Sequence, residues 1–224
     1  MTHKLDNPIW YALSETHQQF AIDYGTIKFY HPDYCPFGGF YGTEDHAAGI
    51  DAYSSLNNNF FVVGEKPTVS DNVTLNSELV CLQMIIENKI DLDITGTIRE
   101  LGEENREELY QLVNLVQPGY FKRKTPLLGN YFGIFKDDTL IAVTGERIKM
   151  SEYTEVSAVV THPDHTGRGY AKALVTHTVN RIIDEGKMPC LHVAAHNTGA
   201  IKLYDKLGFT TRRKISLWNI TPNA

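Results

Sequence analysis

The sequence predicts a mixed α/β (α+β) fold in which a regular domain over 94–224 follows a less regular N-terminal α/β region over 1–93. After residue 94, apolar strand-like segments alternate with segments whose apolar residues repeat every three or four positions, as they do in helices. Two of these helices follow buried strands along the chain, which is typical of helices packed on a sheet. At 224 residues the chain is long enough for one core and a smaller appended unit.

The N-terminal region begins with a predicted helix that Asp6 or Asn7 caps and that carries Pro8 in its first turn. Proline, glycine and aromatic residues then predict irregular structure over 31–49. A short strand follows, and the apolar segment 78–86 is either a strand or a helix. The region carries no catalytic motif. We interpret its clustered aromatic residues as core or interface: Phe37, Phe40, Tyr41, Phe60 and Phe61.

The regular domain shows clear element boundaries up to residue 161. Its predicted order is a strand (97–101), a helix (104–116), a loop with two prolines (117–130), a hairpin (131–150) and a strand (153–161). Asp137 and Asp138 occupy the turn of the hairpin. The loop is long enough to border a substrate site. A terminal strand or strand pair is predicted over 209–220.

The most informative segment lies directly after the strand over 153–161. It contains Gly167 and Gly169 in a G-x-G turn, followed by a helix with one apolar face that ends before Gly186. Glycines let a ligand approach the backbone because they lack a Cβ atom. The free N–H groups and the dipole of the helix N-terminus then attract a pyrophosphate. The segment therefore predicts a site for a phosphorylated ligand.

A second pattern begins with a buried strand over 188–195, which leads into another helix. Asn197 stands at the N-cap, where its side chain can bond the amides of the first turn. Gly208 follows the last turn. One face of this helix carries Ala200, Leu203, Tyr204 and Leu207.

These two segments together resemble the GNAT superfamily of N-acetyltransferases. The family's pyrophosphate loop, Gln/Arg-x-x-Gly-x-Gly/Ala, is similar to residues 164–169 except at its first position, where Asp164 stands. The family's later pattern, N-x-x-A-x-x-L-Y-x-x-x-G-F, is matched over 197–209. The resemblance covers about 94–220 and implies a GNAT-type central mixed, mostly antiparallel sheet flanked by helices, with the N-terminal region appended.

The resemblance implies acetyl-CoA as the co-substrate. The nine histidines show no metal-ligand spacing, so no metal is expected. Backbone amides of the G-x-G loop would bind the pyrophosphate, and the backbone of 159–161 would pair with the pantetheine arm. Asp164 either points away from the negatively charged cofactor or reduces its affinity, and Arg168 either compensates or faces solvent. The implied cofactor-binding residues are Val159, Val160, Thr161, Thr166, Gly167, Arg168, Gly169, Tyr170, Ala171, Lys172, Asn197 and Ala200.

The resemblance also implies that an amine attacks the thioester directly, with no covalent enzyme intermediate. The departing thiolate needs a proton, and Tyr204 is suited as its general acid, although a core aromatic is the alternative interpretation. An alkyl amine must lose a proton before it attacks. Glu155 with a raised pKa, or a water relay, would accept it, unless Glu155 simply faces solvent. His162 and Glu152 are weaker candidates for the base. The N-terminal region would shape the acceptor side.

The composition and net charge of the chain limit the partners that it is expected to bind. The formal charge of −6 argues against nucleic acid, and no apolar run approaches membrane-spanning length. No leader opens the sequence, and the three cysteines lack metal-ligand spacing, so we expect a cytoplasmic protein with reduced thiols. The expected substrate is an amine of a small molecule or peptide. A homodimer is a possible assembly.

Three alternative functions would use some of the same residues. A catalytically weak acyl-CoA-binding sensor would keep the G-x-G loop but would not need Tyr204. A transferase for a longer acyl-CoA stays open, because the sequence does not fix the depth of the acyl pocket. A dinucleotide-binding module would need glycine three positions beyond Gly169, where Lys172 stands, so this interpretation is poor.

Overall fold

The computed structural model describes residues 3–92 and 97–223, and within these ranges one sheet of eleven strands is flanked by helices. The strands are β1 (Ala21–Asp23), β2 (Ile27–Tyr30), β3 (Phe37–Phe40), β4 (Phe60–Gly64), β5 (Val73–Ile85), β6 (Ile98–Glu100), β7 (Tyr131–Lys136), β8 (Thr139–Lys149), β9 (Tyr153–Thr161), β10 (Met188–Ala194) and β11 (Thr210–Pro222). The α-helices are α1 (Pro8–Ser14), α2 (Ala47–Ser54), α3 (Arg106–Val116), α4 (Tyr170–Asp184) and α5 (Thr198–Lys206).

The sheet is mixed and mostly antiparallel. Its strands lie in the order β1-β2-β3-β4-β11-β5-β10-β9-β8-β7-β6. Two neighbouring pairs are parallel, β3 with β4 and β9 with β10, and the other neighbours are antiparallel. This arrangement confirms the predicted central mixed sheet flanked by helices.

The regular domain follows the predicted order of strands and helices. The hairpin of β7 and β8 turns at Asp137 and Asp138, whose φ angles of 49° and 58° lie in the left-handed region. Aspartate tolerates this conformation better than most residues, and a two-residue turn of this kind matches the twist of the strands. Helix α3 is preceded by a 3₁₀ turn over Glu103–Asn105, so it begins two residues later than the predicted start at residue 104.

The N-terminal region is more regular than the sequence predicts. Helix α1 starts at Pro8 as expected, and Asn7 occupies the N-cap position, but its side chain makes no capping hydrogen bond. The segment 31–49, predicted as irregular, instead contains β3 and the beginning of α2, so that prediction is wrong. Its glycines allow close packing, because a Cβ atom on Gly38 would clash with the ring of Phe29. Among the clustered aromatics, Phe37, Phe40 and Phe60 are buried and Phe61 is partly buried, whereas Tyr41 is 46% exposed and is not core.

Strand β5, which contains most of the ambiguous segment 78–86, lies between β10 and β11. It pairs antiparallel with both over most of its length. The predicted boundary between residues 93 and 94 falls outside the described residues, and the division of labour between the two parts stays a prediction. The N-terminal region nevertheless contributes a central strand to the sheet that carries the motifs.

Alternate side chains of the strands build two cores on opposite faces. On one face, called here the α1 face, α1 packs over Cys81 of β5 and Cys190 of β10. On the other, called here the α4–α5 face, residues of α4 and α5 pack against Met84 and Leu191 of the same two strands. The three cysteines are buried free thiols.

Candidate active site

The sheet opens where the parallel strands β9 and β10 diverge. They pair over only three positions, the last of which joins Glu155 to Cys190. Beyond this point β9 also carries a bulge against β8, and Ala158 adopts a positive φ of 50°. A bulge leaves backbone groups without ladder partners and redirects the strand. The divergence and the bulge together create a gap in the sheet.

A cavity of about 600 Å³ fills this gap and is lined by residues from both faces of the sheet. Its α4–α5 side includes Val159, Asn197, Ala200 and Tyr204. Its α1 side includes Phe37, Leu79, Cys81, Tyr120 and Leu217. Two substrates could therefore meet inside the sheet after entering from opposite faces.

A second cavity of about 230 Å³ surrounds the G-x-G loop and the start of α4. Residues 166–172 and Thr161 line it, so seven consecutive predicted cofactor residues share one site. The 15-residue helix α4 begins at this cavity, and its first N–H groups have no intrahelical partners. Helix α5 lines both cavities, through Leu203 here and through Tyr204 in the larger cavity.

The two loop glycines are required by the backbone conformation. Gly167 and Gly169 have φ angles of 74° and 81°, and a Cβ atom on either would meet nothing within 4 Å in the free protein. The left-handed backbone therefore disfavours side chains even where space is open. Asp164, the residue that departs from the family pattern, has an 85% exposed side chain and does not line this cavity.

Among the predicted cofactor residues, Val160 alone lines neither cavity. Its side chain is buried between β9 and α3, where it packs with Leu109 and Val113. The strand alternation that brings Val159 to the cavity turns Val160 toward the core. A contact from Val160 to a ligand would have to come from its backbone.

Tyr204 lies on α5 with 7% of its surface exposed, at the wall of the larger cavity. Burial raises the pKa of its phenol to about 12. The side chain of Asn197 accepts a hydrogen bond from the backbone N–H of Ala200 at 3.1 Å, which confirms the predicted N-cap. This cap fixes the start of α5 and with it the direction of Tyr204.

Glu155 is 1% exposed and lies where β9 and β10 separate. Arg147 donates to both of its carboxylate oxygens, at 2.9 and 3.0 Å, and His192 Nδ1 lies 2.8 Å from Oε1. Burial by itself raises the carboxyl pKa, but the charge of Arg147 and the hydrogen bond from His192 outweigh it and lower the pKa to about 2. The expected raised pKa is therefore wrong, and so is the solvent-facing alternative.

The ion pair of Glu155 belongs to a polar row that crosses five neighbouring strands. Gln83 Nε2 donates to the carbonyl of Leu5 at 2.7 Å and lies 3.0 Å from His192 Nε2. Arg212 donates to Gln83 Oε1 at 2.8 Å. Because the amide nitrogen of Gln83 only donates, His192 Nε2 accepts and Nδ1 carries the proton toward Glu155. The row consists of Arg147 (β8), Glu155 (β9), His192 (β10), Gln83 (β5) and Arg212 (β11).

The two weaker base candidates lie elsewhere. His162 accepts a hydrogen bond from the backbone of Asp164, and Glu152 is 63% exposed beside Lys4. Neither lines the larger cavity. Of the three candidates for the general base, only Glu155 lines the larger cavity.

Comparisons with known proteins agree with this geometry. The family model described as FR47-like protein matches residues 131–218. A solved structure from Novosphingobium aromaticivorans, named as an acetyltransferase of the GNAT family, superposes with a TM-score of 0.85 at 28% identity and covers 100% of both chains. The family-model match and this superposition support a GNAT superfamily N-acetyltransferase.

More distant GNAT structures share the fold alone. A GCN5-related N-acetyltransferase-like protein from Streptococcus suis gives a TM-score of 0.64 at 16% identity, covering 96% of this chain and 93% of the other. A GCN5-related N-acetyltransferase from Kribbella flavida gives 0.60 at 14% identity, covering 96% of each chain. A sequence search among curated proteins returned no match.

Residues 3–92 and 97–223 were searched for membrane-spanning helices and for metal-binding clusters. No helix there is long and apolar enough to cross a membrane. No group of three or more His, Cys, Asp or Glu side chains there is arranged to hold a metal ion.

The sequence does not predict Arg147, His192 and Gln83 as site residues, although Arg147 and His192 contact Glu155 and Gln83 contacts His192. A weak signal existed for two of them. Gln83 and His192 are single polar residues inside apolar strand segments, and a buried polar side chain needs a partner. The identity of that partner depends on strand order, which the sequence does not show directly.

Proposed function

We propose that this acetyltransferase moves the acetyl group of acetyl-CoA to a primary amine of a small molecule or peptide by direct attack. The observation that carries the proposal is the adjacency of the two cavities. The smaller one surrounds the N-terminus of α4, and the larger one opens through the sheet beside Tyr204. A pyrophosphate would fit the first and a thioester with its acceptor the second.

The residues of the loop and of β9 would hold the co-substrate. Backbone N–H groups at the start of α4 would bind phosphate oxygens, since an anion at a helix N-terminus interacts favourably with the dipole. The bulge around Ala158 leaves backbone groups of β9 free to bond the pantetheine arm and to polarise a carbonyl. Acetyl-CoA supplies an activated acyl thioester when bound.

Tyr204 is proposed as the general acid for the thiolate. Its raised pKa keeps the phenol protonated throughout the physiological range. Tyr204 lines the larger cavity from the α4–α5 face. The neighbouring residue Leu203 lines the smaller cavity beside the G-x-G loop. Proton donation from a positioned phenol would avoid releasing a free thiolate.

A water relay is the better proposal for the base. Both oxygens of Glu155 accept hydrogen bonds from Arg147 or His192, and its low pKa makes it a weak acceptor of a proton from an alkylammonium. Glu155 would instead keep the cavity wall fixed and orient water near the amine. The acceptor proton would then leave through solvent.

The test combines calorimetric titration of acetyl-CoA with thiol detection of CoA release across a panel of amines. Gly169→Val should abolish most acetyl-CoA affinity, because the β-branched side chain strains a φ of 81° and crowds the phosphate site. Gly186→Val is the matched control, since Gly186 has a φ of 75°, open space and a place at the far end of α4.

Both variants should lose a similar amount of stability, on the order of 1–2 kcal/mol, from the left-handed conformation. Only the variant at position 169 should lose affinity. Equal acetyl-CoA affinity in the two folded variants would remove the loop from the proposed site. Acetyl-CoA binding without CoA release for any amine would favour a sensor.

A further inference from the structure

The α1 side of the larger cavity is built by parts of the chain that carry none of the acetyltransferase motifs. Phe37 comes from β3, Leu79 and Cys81 from β5, Tyr120 from the loop after α3, and Leu217 from β11. All five contribute apolar surface and belong to the core of the α1 face or pack against it. This side lies across the sheet from Tyr204, so it is the side available to an acceptor.

Aromatic rings give this wall a defined shape. The ring centroids of Phe37 and Tyr120 are 6.0 Å apart, and Phe61 packs behind them at 5.9 and 5.1 Å. The guanidinium of Arg147 lies over the ring of Phe37, 4.7 Å from its centroid. Rings held at such distances form a rigid apolar surface that suits a flat or aliphatic ligand body.

The cavity has no unbalanced formal charge. Among the described residues that line it, Arg147 and Glu155 are the charged ones other than histidine, and they neutralise one another through two hydrogen bonds. Glu155 also accepts a hydrogen bond from His192, which leaves its carboxylate less free to bind a ligand. A second ammonium group on an acceptor would lose its hydration here and gain no free carboxylate partner.

We propose that the acceptor is a primary amine carried on an aromatic or other apolar body with no second charged group. This inference rests on the proposed function and names the substrate class of the same site. Phe37, Leu79, Tyr120 and Leu217 hold the body, and the amine points through the gap toward Tyr204. The same apolar surroundings lower the pKa of the entering ammonium and so favour the neutral, attacking form.

Matched amines test the charge argument. Hexylamine and 1,5-diaminopentane have the same length but differ by one terminal ammonium, and 2-phenylethylamine differs from phenylalanine by one carboxylate. We expect kcat/KM to favour the singly charged member of each pair by about tenfold or more. A preference for the diamine or for phenylalanine would overturn the inference.

Substitutions on the α1 side test whether the preference for singly charged amines arises in the larger cavity. Leu79→Glu adds a carboxylate and should shift the preference toward 1,5-diaminopentane, whereas Leu79→Gln, of the same size without the charge, should not. Tyr120→Ala should raise KM for 2-phenylethylamine with little change in kcat. Leu56→Ala is the surface control, because Leu56 is 55% exposed and lies outside the cavity.

Calorimetric binding of hexylamine and 1,5-diaminopentane repeats the comparison without turnover. Tighter binding of hexylamine to the unaltered chain, reversed or erased in Leu79→Glu, supports the inference even if neither amine is acetylated. If the amines bind in this way and neither is acetylated, the proposed acetyl transfer is contradicted and the proposed acceptor pocket is supported. Equal binding of the two amines to the unaltered chain contradicts the pocket and leaves acetyl transfer to be judged by CoA release.

Discussion

At the scale of single residues, the site separates two acid–base groups by their surroundings. Tyr204 is buried among apolar side chains, which raises its pKa to about 12 and holds its proton. Glu155 is buried beside Arg147 and His192, whose interactions outweigh its loss of hydration and lower its pKa to about 2. The first can only donate a proton in the physiological range, and the second stays ionised. This asymmetry favours a water relay as the base.

Replacing Tyr204 by Phe removes the proposed proton donor and leaves the ring packing on Phe209. We expect kcat to fall roughly 100-fold or more, because proton transfer to the leaving group contributes in that range. Acetyl-CoA affinity, measured by calorimetry, should change little. Tyr110→Phe on α3 is the control, since Tyr110 lines neither cavity. Unchanged turnover in the Tyr204 variant would make this residue a packing aromatic.

At the scale of secondary-structure elements, the polar row ties β8, β9 and β10 together at the point where the sheet opens. The main-chain pairing of β9 with β10 ends at Glu155, so side chains must hold the strands there. Arg147 and His192 do so from either side of Glu155. Gln83 extends the same connection to β5 and, through Arg212, to β11. The edges of the cavity are therefore fixed by buried polar contacts.

Glu155→Gln should destabilise the fold by about 3 to 5 kcal/mol, because it leaves the buried Arg147 without its counter-charge. The carboxyl pKa falls from an ordinary 4.5 to about 2 in the folded chain, so its contribution is complete above 4.5 and is lost as the pH falls toward 2. Urea unfolding between pH 2 and 7 should thus show the variant approaching the unaltered chain at the acid end. Glu152→Gln, at an exposed turn, is the control. A constant difference at every pH would contradict the assigned ionisation.

At the scale of the whole molecule, the N-terminal region and the motif-bearing region share one sheet. Strand β5 separates β10 from β11, and Phe37, Leu79 and Cys81 reach the cavity. These positions support the proposal that the N-terminal region shapes the acceptor side, while the acetyl-transfer motifs follow residue 94. The two parts would differ in role and still depend on each other for stability.

Residues 94–224 produced alone should be poorly soluble or weakly stable. Without β5, both β10 and β11 would expose unpaired backbone edges, which promote aggregation. Co-production of residues 1–93 as a separate polypeptide should restore solubility and acetyl-CoA binding, measured by light scattering and calorimetry. A well-folded fragment that fails to bind acetyl-CoA would contradict the proposed division of labour.

The sequence by itself determined the features that depend on near neighbours along the chain. The G-x-G turn and the helix after it, the cap at Asn197, the Asp137–Asp138 turn and the order of strands and helices after residue 97 are local, and the structure confirms them. Each depends on backbone conformation or on periodicity within about fifteen residues, which a reader of the sequence can see.

Tertiary structure alone decided what surrounds Glu155. Its partners Arg147 and His192 lie 8 and 37 positions away along the chain, and Gln83 is 109 positions from His192. The sequence shows a glutamate on a strand, but its burial and its low pKa come from strands that become neighbours only in the folded sheet. The same holds for segment 78–86, because whether an apolar segment is a central strand depends on the distant strands available to pair with it.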